Sequence, residues 1–149
     1  MGGAPHRYRP PLAADASGVS IAASDIDLPK VIAQVTAAFH AYESALMRDD
    51  IAAMDALFHA APSTVRYGIG EVLYGIDAIR AFRIGRGGSP QRQLRHVEVH
   101  SYGHDCATTH AEFLREGSSV RGRQSQSWVR FADGWKVVAA HVSLQGSHA

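Results

Sequence analysis

The C-terminal half of the chain constrains the fold most strongly, because it is divided into long runs suited to extended strands. Four such runs cover residues 92–102, 106–116, 122–131 and 135–144, and short turn sequences containing GHD, GSS and ADG separate them. Connections this short join antiparallel neighbours, so the sequence predicts an antiparallel meander. A twisted sheet of this kind has to bury one face against another element.

The residues before the meander supply helices that can cover that face. Residues 29–48 carry apolar side chains at helical spacing, and Asp25 or Asp27 precedes them as an N-cap, so we predict one long amphipathic helix. We therefore predict an α+β fold in which N-terminal helices pack on a strongly curved, mainly antiparallel sheet. The other predicted elements are a short helix at 51–60, extended runs at 64–70 and 71–75, and a third helix at 78–86 capped by Asp77.

Length and composition indicate one cytoplasmic domain without a nucleic-acid or membrane partner. Residues 1–24 are rich in Gly, Pro, Ala and Ser, so we predict a disordered extension before a single domain at 25–149. The formal net charge of +1 gives no field that attracts a polyanion, and no apolar run reaches the roughly 18 residues of a membrane span. Cys106 is the only cysteine, which excludes an internal disulfide, and the N-terminus lacks the pattern of a secretory signal.

A guanidinium within an extended run, TVRYGIG, is the most informative candidate for function. Burying an unpaired charge costs several kcal/mol, so Arg66 either reaches water, pairs with Glu43 or Glu71, or meets an anion from outside. Gly68 and Gly70 lie on the same face as Arg66 and leave space beside it. We interpret Arg66 as lining a pocket without a protein counter-ion, where its planar fork takes a substrate carboxylate.

Two further predicted elements direct polar side chains toward the same space. Tyr42 lies on the apolar stripe of the first helix, so its ring faces the sheet. On the strand at 122–131, Gln124, Gln126 and Trp128 share one face and could hydrogen-bond a urea, whereas the alternative orientation turns the serines of this strand inward.

The last strand predicts both a pocket wall and a second subunit. Its two faces are largely apolar, so we expect one face to line the pocket and the other to pack on a copy of the same chain in a homodimer. Strict alternation from Trp135 places His141 and Ser143 near the interior as substrate-binding candidates.

Four blocks in fixed order, AAFHAYESALMRDD, TVRYGIGEVLYGIDAIRAFR, GRQSQSWVRF and GWKVVAAHVSL, resemble the AtzH-like family. The element order is similar to the nuclear-transport-factor-2-like (SnoaL-like) superfamily, whose fold is cone-shaped. The resemblance runs from about Ile26 to Leu144. It implies a role beside amidases in cyanuric acid and oxalurate catabolism, where the proposed reaction removes ammonia from compounds such as 1,3-dicarboxyurea. The family's essential pair falls on Tyr42 and Arg66, and no cofactor is expected.

The residues leave other chemistry open. Tyr42 could serve as general acid or base beside Arg66, while Gln124 or Gln126 polarises the urea carbonyl. A non-catalytic protein that binds small carboxylates for an amidase is the main alternative. An isomerase or dehydratase would need a pocket Asp or His, and the carboxylates Asp55, Glu43 and Glu112 do not clearly provide one. A nucleophilic Cys106 and a metal site are less favoured, the latter built from His96, Glu98, His100 and His110.

Overall fold

The protein is described here by a computed structural model, which covers residues 20–146. Most of the predicted disordered extension at 1–24 lies outside the described residues, and so does the end of the predicted domain beyond residue 146. No helix in the described range is long and apolar enough to cross a membrane.

Helices come first in the chain and the long strands last, as the sequence predicts. The helices are α1 (Pro29–Met47), α2 (Ile51–Ala56) and α3 (Ile76–Arg86). Two short strands, β1 (Val65–Tyr67) and β2 (Val72–Tyr74), form a hairpin before α3. The long strands are β3 (Arg92–Tyr102), β4 (Cys106–Arg115), β5 (Arg121–Phe131) and β6 (Gly134–Leu144).

All six strands form one mixed sheet in the order β2-β1-β6-β5-β4-β3. The strands from β3 to β6 pair in sequence as an antiparallel meander, and the hairpin joins it through a parallel pairing of β1 with β6. The helices pack on this curled sheet, which confirms the predicted α+β cone fold. The pairing places Arg66 of β1 directly beside Ala140 of β6, so the hairpin extends the interior wall of the meander.

The core lies between α1 and the inner face of the sheet. Pro29 occupies the first turn of α1, where its missing N–H removes no helical hydrogen bond. The buried side of α1 repeats every three or four residues and meets inward residues of β4, β5 and β6. That side comprises Val31, Val35, Phe39, Tyr42, Glu43, Ala45 and Leu46. Tyr42 therefore enters the interior from the same stripe that anchors the helix.

Asp27 clips the N-terminal segment to the edge strand β3 instead of capping α1. Its carboxylate accepts the Ser101 backbone N–H at 2.9 Å and lies 3.1 Å from the His100 ring. The residue at the N-cap position is Leu28, which makes no side-chain cap. The predicted cap by Asp25 or Asp27 is therefore wrong, because the carboxylate of Asp27 satisfies a β3 amide rather than a helix amide.

A bulge in β6 reverses which side chains face the interior. Val137 is buried before the bulge, whereas Ala140 and Val142 are buried after it. Trp128 of β5 lies opposite Val137, while the residue before Trp128 lies opposite Ala139, so the pairing skips Val138. Because side chains alternate between the two faces of a strand, one extra residue exchanges the inward and outward positions beyond it.

The bulge turns His141 and Ser143 to the outer face of the sheet. His141 is exposed and contacts Tyr67 edge-on, with ring centroids 5.7 Å apart. Ser143 lies opposite Arg123, another outward residue. The prediction that these two residues lie near the interior is therefore wrong, because it assumed uninterrupted alternation along the strand.

Candidate functional site

A cavity of about 250 Å³ lies between α1, the β1–β2 hairpin, α3 and the end of the sheet. A wider groove of about 530 Å³ opens beside it and shares Arg92 and Arg115 with it. The cavity's apolar wall includes Leu46, Phe82 and Val142. Its polar wall consists of Tyr42, Arg66, Glu71, Arg86, Ser89, Arg92, Arg115 and Gln124. The structure therefore brings the sequence candidates Tyr42, Arg66 and Gln124 into one pocket.

Arg66 faces this pocket and already has a carboxylate partner. Its side chain is 8% exposed, and Nη1 donates to Glu71 Oε1 at 2.7 Å. The expectation that Arg66 has no protein counter-ion is therefore wrong. The hairpin loop brings Glu71 back to Arg66, since the Gly68 N–H donates to the Glu71 carbonyl at 2.9 Å. Only one terminal nitrogen of the guanidinium contacts Glu71, so its other donors have no protein partner within residues 20–146.

Glycine at position 68 leaves room for the Glu71 carboxylate beside Arg66. A Cβ at Gly68 would overlap that carboxylate, whereas a Cβ at Gly70 would meet nothing within 4 Å. The predicted open space beside Gly68 is therefore filled by Glu71, and Gly68 is not among the lining residues of the pocket. Burial raises the pKa of the Glu71 carboxyl, but the hydrogen bonds from Arg66 and the Gly70 N–H lower it by more, so the net pKa is below its ordinary value.

Tyr42 presents its hydroxyl to the pocket from the middle of the buried stripe of α1. The residue is 4% exposed, and its ring packs beside Phe58 with centroids 5.6 Å apart. The hydroxyl has no hydrogen-bond partner within the described range. The phenol is therefore packed tightly as a ring and left available as a proton donor or acceptor at the pocket surface.

Glu43 of α1, Arg92 of β3 and Gln124 of β5 form a hydrogen-bonded network at the back of the pocket. Arg92 donates to both carboxylate oxygens of Glu43, at 2.8 and 2.6 Å, and also donates from Nη2 to Gln124 Oε1 at 3.0 Å. Because Arg92 can only donate, the Gln124 oxygen must be the atom that accepts. Gln124 is 4% exposed, and its Nε2 is buried without a protein partner. This network therefore holds the Gln124 side chain in one orientation, with its Nε2 donor at the pocket wall.

Positive charge exceeds negative charge around this pocket. Among the residues that the structure describes, Glu71 pairs with Arg66 and Glu43 pairs with Arg92, whereas neither Arg86 nor Arg115 has a carboxylate within ion-pair distance. Burial and the neighbouring Arg66 charge lower the pKa of the Arg86 guanidinium. An arrangement of this kind favours a bound anion, which would offset the repulsion between the guanidinium groups.

Gln126 and Trp128 face the interior, but their side chains both hydrogen-bond to Thr109 and do not reach the pocket. Trp128 Nε1 donates to Thr109 Oγ1 at 3.0 Å, and Thr109 Oγ1 donates to Gln126 Oε1 at 3.2 Å. Both residues are at most 2% exposed and neither lines the pocket. Ser125 and Ser127, the alternative inward pair, are exposed on the outer face.

The other chemistry left open by the sequence finds little support in this geometry. Asp55 pairs with Arg80 and Arg83, and Glu112 pairs with Arg121 on the outer face, so neither carboxylate enters the pocket. Cys106 is exposed. No cluster of three potential metal ligands occurs within the part of the chain that the structure describes.

Sequence reasoning missed Arg86, Arg92 and the role of Glu43. Arg86 reads as an ordinary basic residue in the last turn of a helix, where positive charge is favourable. Arg92 and Glu43 are separated by 49 positions, so only the packing of α1 on β3 brings them together. A signal did exist for Glu43, because it is a charged residue adjacent to the apolar stripe of α1.

Comparison with protein families gives one match over most of the chain. Residues 24–148 match the family model described as AtzH-like. No curated protein gives a significant match.

Solved structures of similar sequence share the whole fold. A DUF3225-family protein of unknown function from Pectobacterium atrosepticum is 48% identical, with a TM-score of 0.83 over 85% of this chain and 100% of that chain. A cystatin-like fold protein from Burkholderia xenovorans is also 48% identical, with a TM-score of 0.79 over 83% of this chain and 98% of that chain. A nuclear transport factor 2-like protein from Salmonella enterica, 21% identical with a TM-score of 0.67 over 81% of this chain and 95% of that chain, shares the fold alone.

Proposed function

Because this chain belongs to the AtzH-like family, we propose that it is a cytoplasmic hydrolase that cleaves a carbon–nitrogen bond of a small carboxylated urea such as 1,3-dicarboxyurea. The observation that carries the proposal is a small pocket with more guanidinium groups than carboxylates and one oriented amide donor. A carboxylated urea offers carboxylate oxygens to the guanidinium groups and a carbonyl oxygen to the amide donor of Gln124.

The size of the pocket supports a small substrate. Its volume of about 250 Å³ is below the ~300–1,000 Å³ typical of sites for drug-sized ligands. Apolar side chains and polar groups contribute comparably to the wall, and the polar groups include four guanidinium groups. This combination suits a short, flat, anionic amide better than a steroid or a polyketide.

The proposed reaction uses Tyr42, Arg66 and Gln124 in separate roles. Arg66 directs its remaining donors to the substrate, while Gln124 Nε2 donates to the urea carbonyl oxygen and stabilises the charge that develops there. Water adds to the urea carbonyl carbon and the carbon–nitrogen bond breaks. The departing nitrogen, which belongs to carbamate from 1,3-dicarboxyurea or to ammonia from oxalurate, takes a proton. The Tyr42 hydroxyl, which has no protein partner in the described residues, relays that proton as general acid or base.

Hydrolysis of carboxylated ureas by the purified protein tests this proposal. We expect loss of 1,3-dicarboxyurea or oxalurate, measured by NMR, while unsubstituted urea remains intact. An ammonium assay should detect ammonia released directly from oxalurate, or formed from 1,3-dicarboxyurea once the departing carbamate loses carbon dioxide. Replacement of Tyr42 by Phe should lower kcat by about 10²–10⁴-fold with a small change in Tm, since the hydroxyl makes no protein hydrogen bond in the described range. Arg66→Lys keeps the charge without the planar fork and should raise KM. Unchanged turnover in Tyr42→Phe would contradict the proposed role of the phenol.

A non-catalytic role as a carboxylate-binding partner of an amidase is the second candidate. One observation favours it: Glu71, the only carboxylate that lines the pocket, is already held by Arg66, and no Asp or His lines it among the described residues. The same observation disfavours an isomerase or dehydratase, which would need such a base. Thermal stabilisation by oxalurate without any hydrolysis would favour the binding role over the hydrolase.

A further inference from the structure

Two guanidinium groups of the pocket pack against a single aromatic ring. The Cζ atoms of Arg66 and Arg86 lie 5.2 and 5.5 Å from the centroid of the Phe82 ring. Phe82 and Arg86 are four residues apart on α3, so both side chains project from the same side of that helix. Phe82 thus holds both cations at the wall of the pocket, and the two charges repel each other.

Only one of these two cations has a carboxylate within ion-pair distance. Arg66 donates to Glu71, whereas Arg86 makes no hydrogen bond or ion pair to any residue between 20 and 146. The Nε atom of Arg86 is buried and has no protein acceptor. A buried donor without an acceptor, beside a like charge, destabilises the folded protein. Its placement in the pocket is explained if a bound anion supplies the missing acceptor.

We propose that Arg86 is the anion anchor of this pocket and the residue that selects carboxylated over neutral ligands. The proposal rests on the proposed function only for the chemical class of the ligand, a small carboxylated urea. Arg86 takes the carboxylate, and the Nε2 donor of Gln124 takes the carbonyl oxygen. Gln124 Nε2, the second unpaired donor in the pocket wall, thus contacts the part of the ligand away from its carboxylate.

Binding of oxalurate measured by isothermal titration calorimetry tests the anchor directly. We expect Arg86→Gln to weaken oxalurate binding at least tenfold, because the neutral side chain cannot offer a charged, bidentate fork. Arg86→Lys restores the charge without the fork and should weaken binding by about three- to tenfold. The matched control is Arg95→Gln, which removes the same charge from an exposed β3 residue that lines the wider groove but not this pocket, and it should change the dissociation constant less than twofold.

Thermal unfolding without ligand separates an anchor from a structural residue. Because Arg86 lies beside Arg66 and has no protein partner in the described residues, we expect the Tm of Arg86→Gln to equal or exceed that of the wild type. A structural arginine would lower Tm on replacement, which would overturn the proposal. Oxalurate should raise the Tm of the wild type and leave that of Arg86→Gln within the error of the measurement.

The outcomes separate this inference from the proposed hydrolase activity. If Arg86→Gln binds oxalurate within twofold of the wild type, or if Arg95→Gln loses as much affinity, the anchor is wrong even when hydrolysis is observed. If the wild type binds neither oxalurate nor malonate at millimolar concentration, the anchor is also wrong. If the wild type binds oxalurate through Arg86 but hydrolyses no carboxylated urea, the hydrolase proposal fails and the anchor stands.

Discussion

At the scale of single residues, Glu71 determines how much of Arg66 a ligand can reach. We predict that Glu71→Gln tightens oxalurate binding about three- to tenfold, because the pocket gains net positive charge. The same change should lower the free energy of unfolding by about 1 kcal/mol through loss of the ion pair. Calorimetry and denaturant unfolding measure the two effects.

The control for this prediction is Glu116→Gln, which removes one negative charge from an exposed position near the wider groove. The stability difference between wild type and Glu71→Gln should be constant at neutral pH. Since the folded-state pKa of Glu71 is below its ordinary value, its contribution is present above about pH 4.5 and is lost as the pH falls through the lowered pKa. Equal or weaker oxalurate binding by Glu71→Gln would contradict an electrostatic effect of Glu71 on the bound anion.

The sequence located the main candidates but not all of their partners. Tyr42 and Arg66 were interpreted as interior residues, and Gln124 was placed on one of two possible inward faces, because helical periodicity and strand alternation are local properties that hold in these elements. Glu71 was one of two candidate partners for Arg66, and the turn at GIG, which folds residue 71 back, was the feature that decides the pairing. Arg86 could not be assigned, since its position depends on how α3 packs against the hairpin.

At the scale of elements, the clip between the N-terminal segment and β3 depends on pH. The hydrogen bond to Asp27 raises the pKa of His100, and the Ser101 N–H together with His100 lowers the pKa of Asp27. The His100 contribution is therefore present below its ordinary pKa of about 6.5 and is lost as the pH rises through the raised value. The Asp27 contribution is present above about pH 4 and is lost in more acidic solution.

We predict that the Tm difference between wild type and His100→Gln is largest near pH 5 and smallest above pH 8. Differential scanning calorimetry across this range measures it, with His104→Gln, an exposed residue of the neighbouring turn, as control. A difference that is independent of pH would show that charge on His100 does not hold the segment to β3. Hydrogen exchange at Ser101, whose N–H donates to Asp27, gives a local reading of the same clip.

The bulge in β6 shows where strand patterns stop being informative. Alternation correctly separates the inner and outer residues of β5, including Gln124 and Ser125, because its pairing with β4 is regular. In β6 both faces are apolar, so nothing in the sequence marks Val138 as the extra residue. His141 and Ser143 were misplaced for that reason, and a bulge can be recognised there only from the pairing with β5.

At the scale of the whole molecule, the outer face of the sheet predicts a homodimer. Tyr74 and Val72 of the hairpin are 63% and 62% exposed, and Tyr67 lies beside them on the same face. The face also carries both signs of charge, for example the pair of Arg121 and Glu112 at 3.2 Å. A surface with exposed aromatic residues and both charge signs can match a copy of itself across a two-fold axis.

We expect light scattering at micromolar concentration to give about twice the chain mass of 16.0 kDa. Ser127→Arg places a bulky charge at the centre of the outer face and should give monomers, whereas Ser118→Arg in the loop before β5 should remain dimeric. Oxalurate binding should persist in the Ser127→Arg monomer, because the pocket lies on the opposite side of the sheet. A monomeric wild type would rule the dimer out.

The fold itself was the most predictable feature of the molecule. Short turns between long strands restrict the meander to antiparallel neighbours, and one amphipathic helix of sufficient length restricts what covers it. The parallel pairing of β1 with β6 is the exception, because Val65 and Ala139 are distant in sequence and no local pattern links them. The pocket depends on that pairing, so its full outline needed the three-dimensional structure.

The β1–β2 hairpin carries its own carboxylate to Arg66, and this sets a threshold for any molecule that enters. A neutral amide or urea can use only the Arg66 donors that Glu71 leaves free, whereas an anion also gains from the net positive charge of the pocket. The hairpin therefore helps the pocket to admit anions in preference to neutral molecules, and this selection takes place at the binding step, before any reaction. In a cell rich in neutral amides, such selection would keep the pocket available for carboxylated ligands.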